Sequence, residues 1–277
     1  MNTDQAKQLS ETALNQLMSA LEQGHSDALK AYLAVMARFH HYSWSNALLI
    51  FWQKPTATHV AGFHSWLRLN RYVRKGEKGI VILAPMVGRL KDADELSEDQ
   101  RSRVFGFRAA HVFDISQTEG EPLPEFATVH GEPGELTAKL KDFVSSKKID
   151  LVYSDEIRPA RGMSSGGKIT LLPDMPAAEE FAVLVHEVAH ELLHRGERRK
   201  ETNHTVRETE AEAVAFVVAN AVGLDTNTAS ADYILLHSGD KATLAESLAF
   251  IQQTSADILK AILPEPDTVA MHHQEAA

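Results

Sequence analysis

The chain has 277 residues, 44% of them hydrophobic and 24% charged, which is typical of a globular protein with one large domain or two compact ones. It contains no cysteine, which excludes disulfides and thiolate metal sites, so any metal must be held by His, Asp or Glu. No apolar run approaches the roughly 18 to 20 residues of a membrane span, and the N-terminus lacks the apolar core of a secretory signal. We therefore expect a cytoplasmic protein with no membrane partner. The net charge of −10 argues against nucleic acid as a partner only if it is evenly spread.

The first half of the chain predicts helices followed by short strands. Apolar residues at helical spacing predict three helices, the last of which is ended by Pro55. These helices are placed at 8–23, 26–39 and 40–55. Segments rich in β-branched and aromatic residues predict strands, two of them joined by the Gly-bracketed turn RKGEKG. The strands are placed at about 59–69, 79–85 and 104–116.

The second half predicts a further small sheet surrounded by helices. The acidic segment 92–100 predicts a solvated loop or a short helix, and the Gly and two Pro among acids at 118–127 predict a linker. This divides the chain into domains at 1–117 and 128–277. A strand is expected at 149–154, and the Gly-rich turn in ARGMSSGGKITLLP leads into another. Helices are expected at 135–146, 176–194, 206–222, 229–237 and 241–263. The fold class is therefore α+β.

The stretch VHEVAHELLH lies inside the helix that begins at Pro176. On an α-helix, residues four apart lie on the same face, so His186 and His190 can present both rings to one point. Glu187 projects beside them and can reach a metal-bound water as a general base. The alternative to a metal site is a pair of His residues on a solvent-exposed helix face. The surrounding Val, Ala and Leu residues favour a buried helix, in which unpaired imidazoles would be costly.

A third ligand is expected from the helix at 206–222. The long zinc motif that supplies its own third His requires Gly and His where this chain has Leu193 and Gly196, so that option fails. Glu208 and Glu212 share a helix face, whereas Glu210 points about 200° away from Glu208 at about 100° per residue. We predict Glu208 as the third ligand and Glu212 as the acceptor of a hydrogen bond from a ligating imidazole. The alternative is a solvated helix start.

His194 lies one turn beyond His190 on the same helix face. It could contact the site, or it could cap the C-terminus of the helix, where imidazolium is favoured. We predict the cap, followed by a solvated loop that contains Arg195, Arg198, Arg199 and Lys200.

With these residues in hand, the chain resembles the ArdC-type antirestriction proteins of plasmids and phages. The resemblance covers HYSWSNALLIFWQKPTATHVAGFHSWLRLNRYVRKGEKGIVILAP at 41–85, then GGKITLLP, LVHEVAHELLH, ETEAEAVAFVVANAVGL and ADYILLHSGDKATLAESLAFIQQ. It implies an N-terminal single-stranded-DNA-binding domain of helices and a β-hairpin. It also implies a C-terminal zincin-like metallopeptidase domain related to the SprT and ImmA types, with a small sheet packed on the two site helices. The third metal ligand of such relatives falls here on Glu208.

The segment 54–91 has the composition that single-stranded DNA requires, because such DNA binds cationic grooves with aromatic stacking platforms. It holds eight basic residues against the single acid Glu77, a balance of +7 that leaves −17 for the remaining chain. We expect Trp44 and Phe63 to be core residues, and the turn RKGEKG could also be a plain solvated hairpin. The predicted DNA-binding residues are Trp66, Arg68, Arg71, Tyr72, Arg74, Lys75 and Lys78. Binding should be sequence-tolerant and salt-sensitive, with double-stranded DNA as a further partner.

These features together predict a zinc peptidase that binds DNA and protects plasmid or phage DNA from host restriction. Zn²⁺ is the expected cofactor, with Mn²⁺ as the alternative, and a protein or peptide is the expected substrate. Tyr233 or His237 is the candidate for stabilising the oxyanion. Two alternatives stay open: an ImmA-like peptidase that cleaves a mobile-element repressor, and a DNA-coating protein whose metal domain is not proteolytic.

Overall fold

A computed structural model describes residues 3–89, 102–121, 133–224 and 241–264. Backbone contacts group them into two compact units. The first contains residues 3–13, 48–89 and 102–121, and the second contains residues 14–47, 133–224 and 241–264. Residues 14–47 join the second unit because the helix at 26–38 packs on the helix at 204–221, whereas the predicted division placed them in the N-terminal domain.

Helices and strands alternate in an α+β arrangement, as predicted. The helices are α1 Thr3–Glu22, α2 Ser26–Arg38, α3 Trp44–Gln53, α4 Phe63–Arg68, α5 Glu135–Ser146, α6 Ala177–Leu193, α7 Glu197–Glu201, α8 His204–Ala221 and α9 Lys241–Ile262. The strands are β1 Val60–Gly62, β2 Arg71–Val73, β3 Ile80–Arg89, β4 Ser102–Asp114, β5 Thr118–Gly120, β6 Asp150–Tyr153, β7 Gly162–Ser164 and β8 Lys168–Leu171. Within these residues, no helix combines the length and apolar character that a membrane span requires.

Two small sheets belong to the first unit. Strands β3 and β4 form a long antiparallel hairpin whose register shifts at Met86/Val87, and β1 pairs with the other edge of β4. Strands β2 and β5 form a separate antiparallel pair. Residues 118–120 of the predicted linker are thus a strand. The rest of that linker from 122 onwards, the acidic segment at 92–100 and the predicted helix at 229–237 lie outside the described residues.

The second unit builds the layer that carries the chemistry. Its sheet has the order β6-β8-β7, with β6 parallel and β7 antiparallel to the central strand. Helix α6 packs on β7 and β8, and α8 packs on α6. Helix α8 is buried over most of its circumference, because Ala and Val alternate with its three Glu residues and let neighbouring helices approach closely. Its two sides therefore face different helices.

The prediction of a strand over 59–69 is wrong for most of that segment. Only Val60–Gly62 is extended, and Phe63–Arg68 forms a short helix. The helical turn brings Trp66 into the core, where it is 1% exposed and its indole N–H donates to the carbonyl of Phe113 at 2.9 Å. Burial of this large ring together with a satisfied N–H outweighs the weak β preference of aromatic residues.

Candidate metal centre

Helix α6 brings the two imidazoles of its polar face to one point. His186 and His190 are four residues apart, and their Nε2 atoms lie 3.1 Å from each other. Their neighbours Leu184, Val185 and Val188 are fully buried, so apolar packing fixes the helix and hence both rings. The side chains retain 21% and 13% exposure, which leaves the ring nitrogens accessible from one side.

Helix α8 adds a carboxylate to this point. Oε2 of Glu208 lies 3.5 Å from Nε2 of His186 and 3.5 Å from Nε2 of His190. A tetrahedral ion with ligand distances of about 2.0–2.1 Å separates its ligand atoms by roughly 3.3 Å. The three observed separations lie close to this value. The donor set of two His and one Glu also suits zinc in a site that keeps one position open. His186, His190 and Glu208 can therefore hold a metal ion.

A second carboxylate of α8 supports the first imidazole. Oε2 of Glu212 lies 3.4 Å from Nδ1 of His186, on the ring edge opposite the ligand atom. Burial alone would lower the pKa of His186, but the hydrogen bonds to Glu208 and Glu212 outweigh it and raise the pKa to about 9. The hydrogen bond from His186 holds the pKa of Glu208 well below its usual range. The site is therefore strongly negative once its protons are removed, which favours a divalent cation.

Glu187 lies beside the metal group and against the sheet. It is 7% exposed, and burial raises the pKa of its carboxyl, although the neighbouring imidazoles oppose this shift. Strand β7 passes so closely that a Cβ atom at Gly162 would lie 2.6 Å from Oε1 of Glu187. Only glycine leaves the carboxylate in this position without displacement. A carboxylate held here can accept a proton from a group that reacts at the metal group.

The prediction that the His194 ring caps the helix as an imidazolium is wrong, because the buried ring contacts the site instead. His194 is the residue that ends α6, and its Nδ1 lies 3.1 Å from Nδ1 of His190. Its Nε2 lies 2.9 Å from Oε2 of Glu210, and burial lowers the pKa of His194 although this carboxylate opposes the shift. Glu210 faces away from Glu208, as predicted. It is nevertheless connected to His190, because His194 contacts both residues. Three acids at every second position of an apolar helix cannot all lie on one face. This spacing was the sequence signal that Glu210 contacts a different partner from Glu208 and Glu212.

Two charged side chains for which the sequence predicted no structural role are built into the second unit. Arg198, predicted in a solvated loop, donates to Glu210 at 2.6 Å and keeps only 15% side-chain exposure. Glu191 is 2% exposed and accepts from Ser164 and from the backbone N–H groups of Gly166 and Gly167. This carboxylate fastens the turn between β7 and β8 to α6. The spacing of four to Arg195 marks one partner of Glu191, but its partners in the turn before β8 lie too far away in the sequence for a local pattern to show them.

Two residues predicted to bind DNA are structural instead. Trp66 is in the core, as described above, and cannot stack on a base. Arg71 is 9% exposed, and its guanidinium donates to the Thr118 hydroxyl at 2.8 Å and to the backbone carbonyl of Glu121. These bonds tie β2 to β5 and occupy most of the N–H donors of Arg71, so its side chain is committed to the fold. The expectation of a buried Phe63 is also wrong, since its side chain is 46% exposed.

The remaining predicted DNA-binding residues lie on the surface of the first unit. Tyr72 is 56% exposed on β2. Arg74 pairs with Glu77 at 2.9 Å and also donates to the carbonyl of Ser116 at 2.5 Å, which ties part of its charge to the turn. The other exposed cations are Arg68, Lys75 and Lys78. Tyr233 and His237, predicted near the oxyanion, lie outside the described residues.

Comparison with known proteins gives one family match and one curated relative. Residues 7–113 match the model of the N-terminal domain of anti-restriction factor ArdC. An uncharacterized protein of Bacillus anthracis is 25% identical over 273 residues. That match covers 82% of this chain but only 46% of the relative, so the chain spans about half the length of the curated relative that it matches.

Two crystal structures of the antirestriction protein ArdC from the R388 plasmid have the same fold. The metal-free structure superposes with a TM-score of 0.54 at 19% identity, and the Mn(II)-bound structure with 0.53 at 18% identity. Each match covers 91% of this chain and 96% of ArdC. Residues 7–113 therefore match the ArdC N-terminal domain, and the fold of ArdC extends over nearly the whole chain.

Proposed function

We propose that this chain is an antirestriction protein that binds DNA through its N-terminal domain and hydrolyses a peptide bond at a metal site. The observation that carries the enzymatic half is the convergence of three ligand atoms beside the buried carboxylate of Glu187. His186, His190 and Glu208 would hold the ion. A Zn²⁺ ion in such a site lowers the pKa of its water to about 7 and polarises a carbonyl oxygen.

The chain itself supplies a base for the hydrolysis. Glu187 is shielded from bulk water, and burial raises the pKa of its carboxyl, which brings it closer to the pKa range of an effective general base at neutral pH. It can take a proton from the attacking water and later deliver it to the leaving amine. His186 is oriented by Glu212 and His190 by His194, so neither ring can rotate out of place without losing a hydrogen bond.

Strand β7 offers a place for the substrate. In the described part of the sheet it is an edge strand, and it passes directly along Glu187. An extended peptide that pairs with an edge strand is held by main-chain hydrogen bonds. Such pairing would place one peptide bond beside Glu187 and accept many sequences, with selectivity left to the side chains on the exposed face, such as Met163.

The DNA-binding half rests on the match of residues 7–113 to the ArdC N-terminal domain and on the exposed cations around Tyr72. Stacking on Tyr72 and phosphate contacts from Lys75 and Lys78 require no particular base sequence. Binding should weaken steeply with salt, because each phosphate contact releases a counterion. The DNA-protecting role is the one named for the R388 protein, and we propose the same role here.

The substitution Glu187→Gln tests the peptidase half. We expect the purified, metal-loaded variant to cleave a denatured protein or peptide mixture about 10²–10⁴-fold more slowly while its metal content stays unchanged. Glu180→Gln is the matched control, because Glu180 lies on the same helix but pairs with Lys141 of α5. Cleavage at the wild-type rate by Glu187→Gln would refute the proposed mechanism.

The same variant separates the antirestriction proposal from its alternatives. Plasmid transfer into a restricting host should be protected by the wild type and not by Glu187→Gln if proteolysis carries the protection. Full protection by Glu187→Gln would favour a DNA-coating protein with a non-proteolytic metal domain. Appearance of a cleaved repressor in cells with the wild type alone would favour the ImmA-like alternative.

A further inference from the structure

A buried chain of polar contacts leads from the metal group to two other helices. Nδ1 of His190 meets Nδ1 of His194 at 3.1 Å, and Nε2 of His194 meets Oε2 of Glu210 at 2.9 Å. The other carboxylate oxygen, Oε1, accepts from Arg198 at 2.6 Å and from the hydroxyl of Ser247 on α9 at 2.6 Å. The side chains of His194 and Glu210 are both fully buried. His194 and Glu210, the inner members of this series of contacts, each have a partner on both sides.

The charge of Glu210 is buried, unlike the charges of a surface ion pair, which contribute little to stability. Its carboxylate is 0% exposed, and a buried charge is tolerated only when it is paired and hydrogen-bonded. Three donors meet this requirement, and the guanidinium of Arg198 also stacks 3.7 Å from the ring centroid of Phe250. Helices α6, α8 and α9 therefore converge on one carboxylate. Such convergence fixes the ring of His194 in position and in orientation.

The contacts allow one consistent placement of protons. The ionised carboxylate of Glu210 can only accept, so the facing Nε2 of His194 must carry a proton. Arg198 already balances the charge of Glu210, and a second positive charge on the fully buried ring would be uncompensated, so His194 is neutral. Its Nδ1 is then an acceptor, and Nδ1 of His190 must carry the proton that it accepts. The remaining nitrogen of His190, Nε2, is left with a free lone pair. This is the atom that lies 3.1 Å from His186 and 3.5 Å from Glu208.

We propose that Glu210, acting through His194, is a positioning residue that sets the tautomer of His190 and so prepares Nε2 as a metal ligand before the ion binds. The inference rests on the metal site proposed above. It assigns a role to a carboxylate that touches neither the ion nor the substrate. The residues that hold a ligating imidazole commonly alter metal affinity about 10–100-fold when they are changed.

The substitution Glu210→Gln tests this role because it keeps the shape and changes the proton pattern. The amide N–H₂ can donate to Nε2 of His194, which moves the proton of His194 to Nδ1 and that of His190 to Nε2, where it blocks the ligand atom. We expect Zn²⁺ to bind about 10–100-fold more weakly in competition with a chromophoric chelator. The ¹⁵N NMR spectrum of labelled metal-free protein should report the proton of His190 on Nδ1 in the wild type and on Nε2 in the variant.

Glu191→Gln is the matched control. Glu191 is equally buried on the same helix as His190 and has its own arginine partner, Arg195, but it contacts no metal ligand. Its Zn²⁺ affinity should stay within about twofold of the wild type. An equal loss in both variants would overturn the proposal, because any lost buried charge would then have the same effect. Unchanged affinity in Glu210→Gln would overturn it as well.

The wild-type NMR measurement decides the matter even if Glu210→Gln does not fold. A proton on Nε2 of His190 in the metal-free wild type would overturn the proposal. Because no substrate is involved, this failure is distinct from failure of the proposed peptidase. A wild type that binds Zn²⁺ tightly through a prepared His190 and cleaves nothing would refute the peptidase alone.

Discussion

The metal group between α6 and α8 and the strand pair β2/β5 both bury charged side chains, but they leave them in different states. In the strand pair, the guanidinium of Arg71 is matched by a hydroxyl and backbone carbonyls, which occupy most of its donors. In the metal group, three ligand atoms converge within 3.5 Å and keep partial exposure on one side. The first arrangement is complete by itself and serves stability. The second gains from an added cation, which is the physical mark of a binding site.

The largest effect should come from Trp66, on the structural side of this comparison. Trp66→Ala removes a fully buried ring and its hydrogen bond to Phe113, so we expect a loss of about 3–5 kcal/mol in unfolding free energy. Chemical denaturation of the wild type and the variant measures this loss. Trp52→Ala is the control, because that ring is 40% exposed and its removal should cost far less. A stable Trp66→Ala variant with weaker DNA binding would restore the original stacking prediction.

The metal group should respond in the opposite way, with lost binding and a retained fold. Glu208→Gln replaces a charged ligand by a neutral one, so we expect Zn²⁺ affinity to fall by more than about 100-fold, beyond the effect of a residue that only supports a ligand. Isothermal titration of the metal-free proteins measures the affinity. Glu197→Gln on the exposed helix α7 serves as the control. Equal Zn²⁺ affinity of Glu208→Gln and the wild type would remove Glu208 from the ligand set.

Tyr72 sharpens the comparison within the first unit, because it neighbours Arg71 on β2 but points outward. We expect Tyr72→Ala to weaken binding of single-stranded DNA by about 1–3 kcal/mol, the contribution of one stacked base, with unchanged unfolding free energy. Fluorescence anisotropy with a labelled oligonucleotide at several salt concentrations gives the affinity. Tyr153→Ala, which removes a similarly exposed ring from the second unit, should have no such effect. Equal affinities of Tyr72→Ala and the wild type would exclude Tyr72 from the DNA site.

The last prediction concerns the dependence of Zn²⁺ affinity on pH, for which we expect the smallest change per step. The pKa of His186 is raised to about 9 in the metal-free protein, so its imidazole carries a proton below that pH, and a metal ion must displace it. Zn²⁺ affinity should therefore rise about tenfold per pH unit towards pH 9 and then level off. The sign for metal-free stability is the reverse. The protonated ring stabilises the fold fully below its unfolded pKa near 6.5, and this contribution disappears as the pH rises through 9.

Titrations in buffers of different ionisation enthalpy would count the protons released on binding. Release of no proton at pH 7 would contradict the raised pKa of His186. The variant Glu212→Gln offers a check, because it removes one of the two carboxylates that raise this pKa and should move the levelling point to lower pH.

The sequence predicted well those parts of the molecule where the spacing of residues along a regular helix determines which way each side chain points. His186, His190, Glu208 and Glu212 lie on regular helices, and their spacing of four brings each pair onto one face. The role of His194 could not be predicted from its own helix. Whether its ring caps the helix or contacts the metal group depends on the residue that a neighbouring helix places beside it. Glu210 is that residue, on another helix, and no local pattern pairs the two.

Short elements joined by turns were predicted poorly for the same reason. In the segment that contains Phe63, Trp66 and Arg71, the chain passes from strand to helix to strand between Val60 and Val73. Which side chain is buried there depends on partners such as Phe113 and Thr118, which lie about 47 positions away. The composition correctly shows that the segment is basic and aromatic. It does not show which cations and rings remain at the surface.

The close approach of Gly162 to Glu187 has a consequence for sorting related proteins. A side chain at this position would press on the carboxylate of Glu187 and on Val183 of α6, whereas none of the three ligand side chains is among its nearest neighbours. Under the proposed mechanism, we expect a homologue with the same HExxH helix and a bulkier residue at this strand position to bind an ion but to lack the base. The residue at position 162 would then report on the proposed chemistry in a way that the histidine motif cannot.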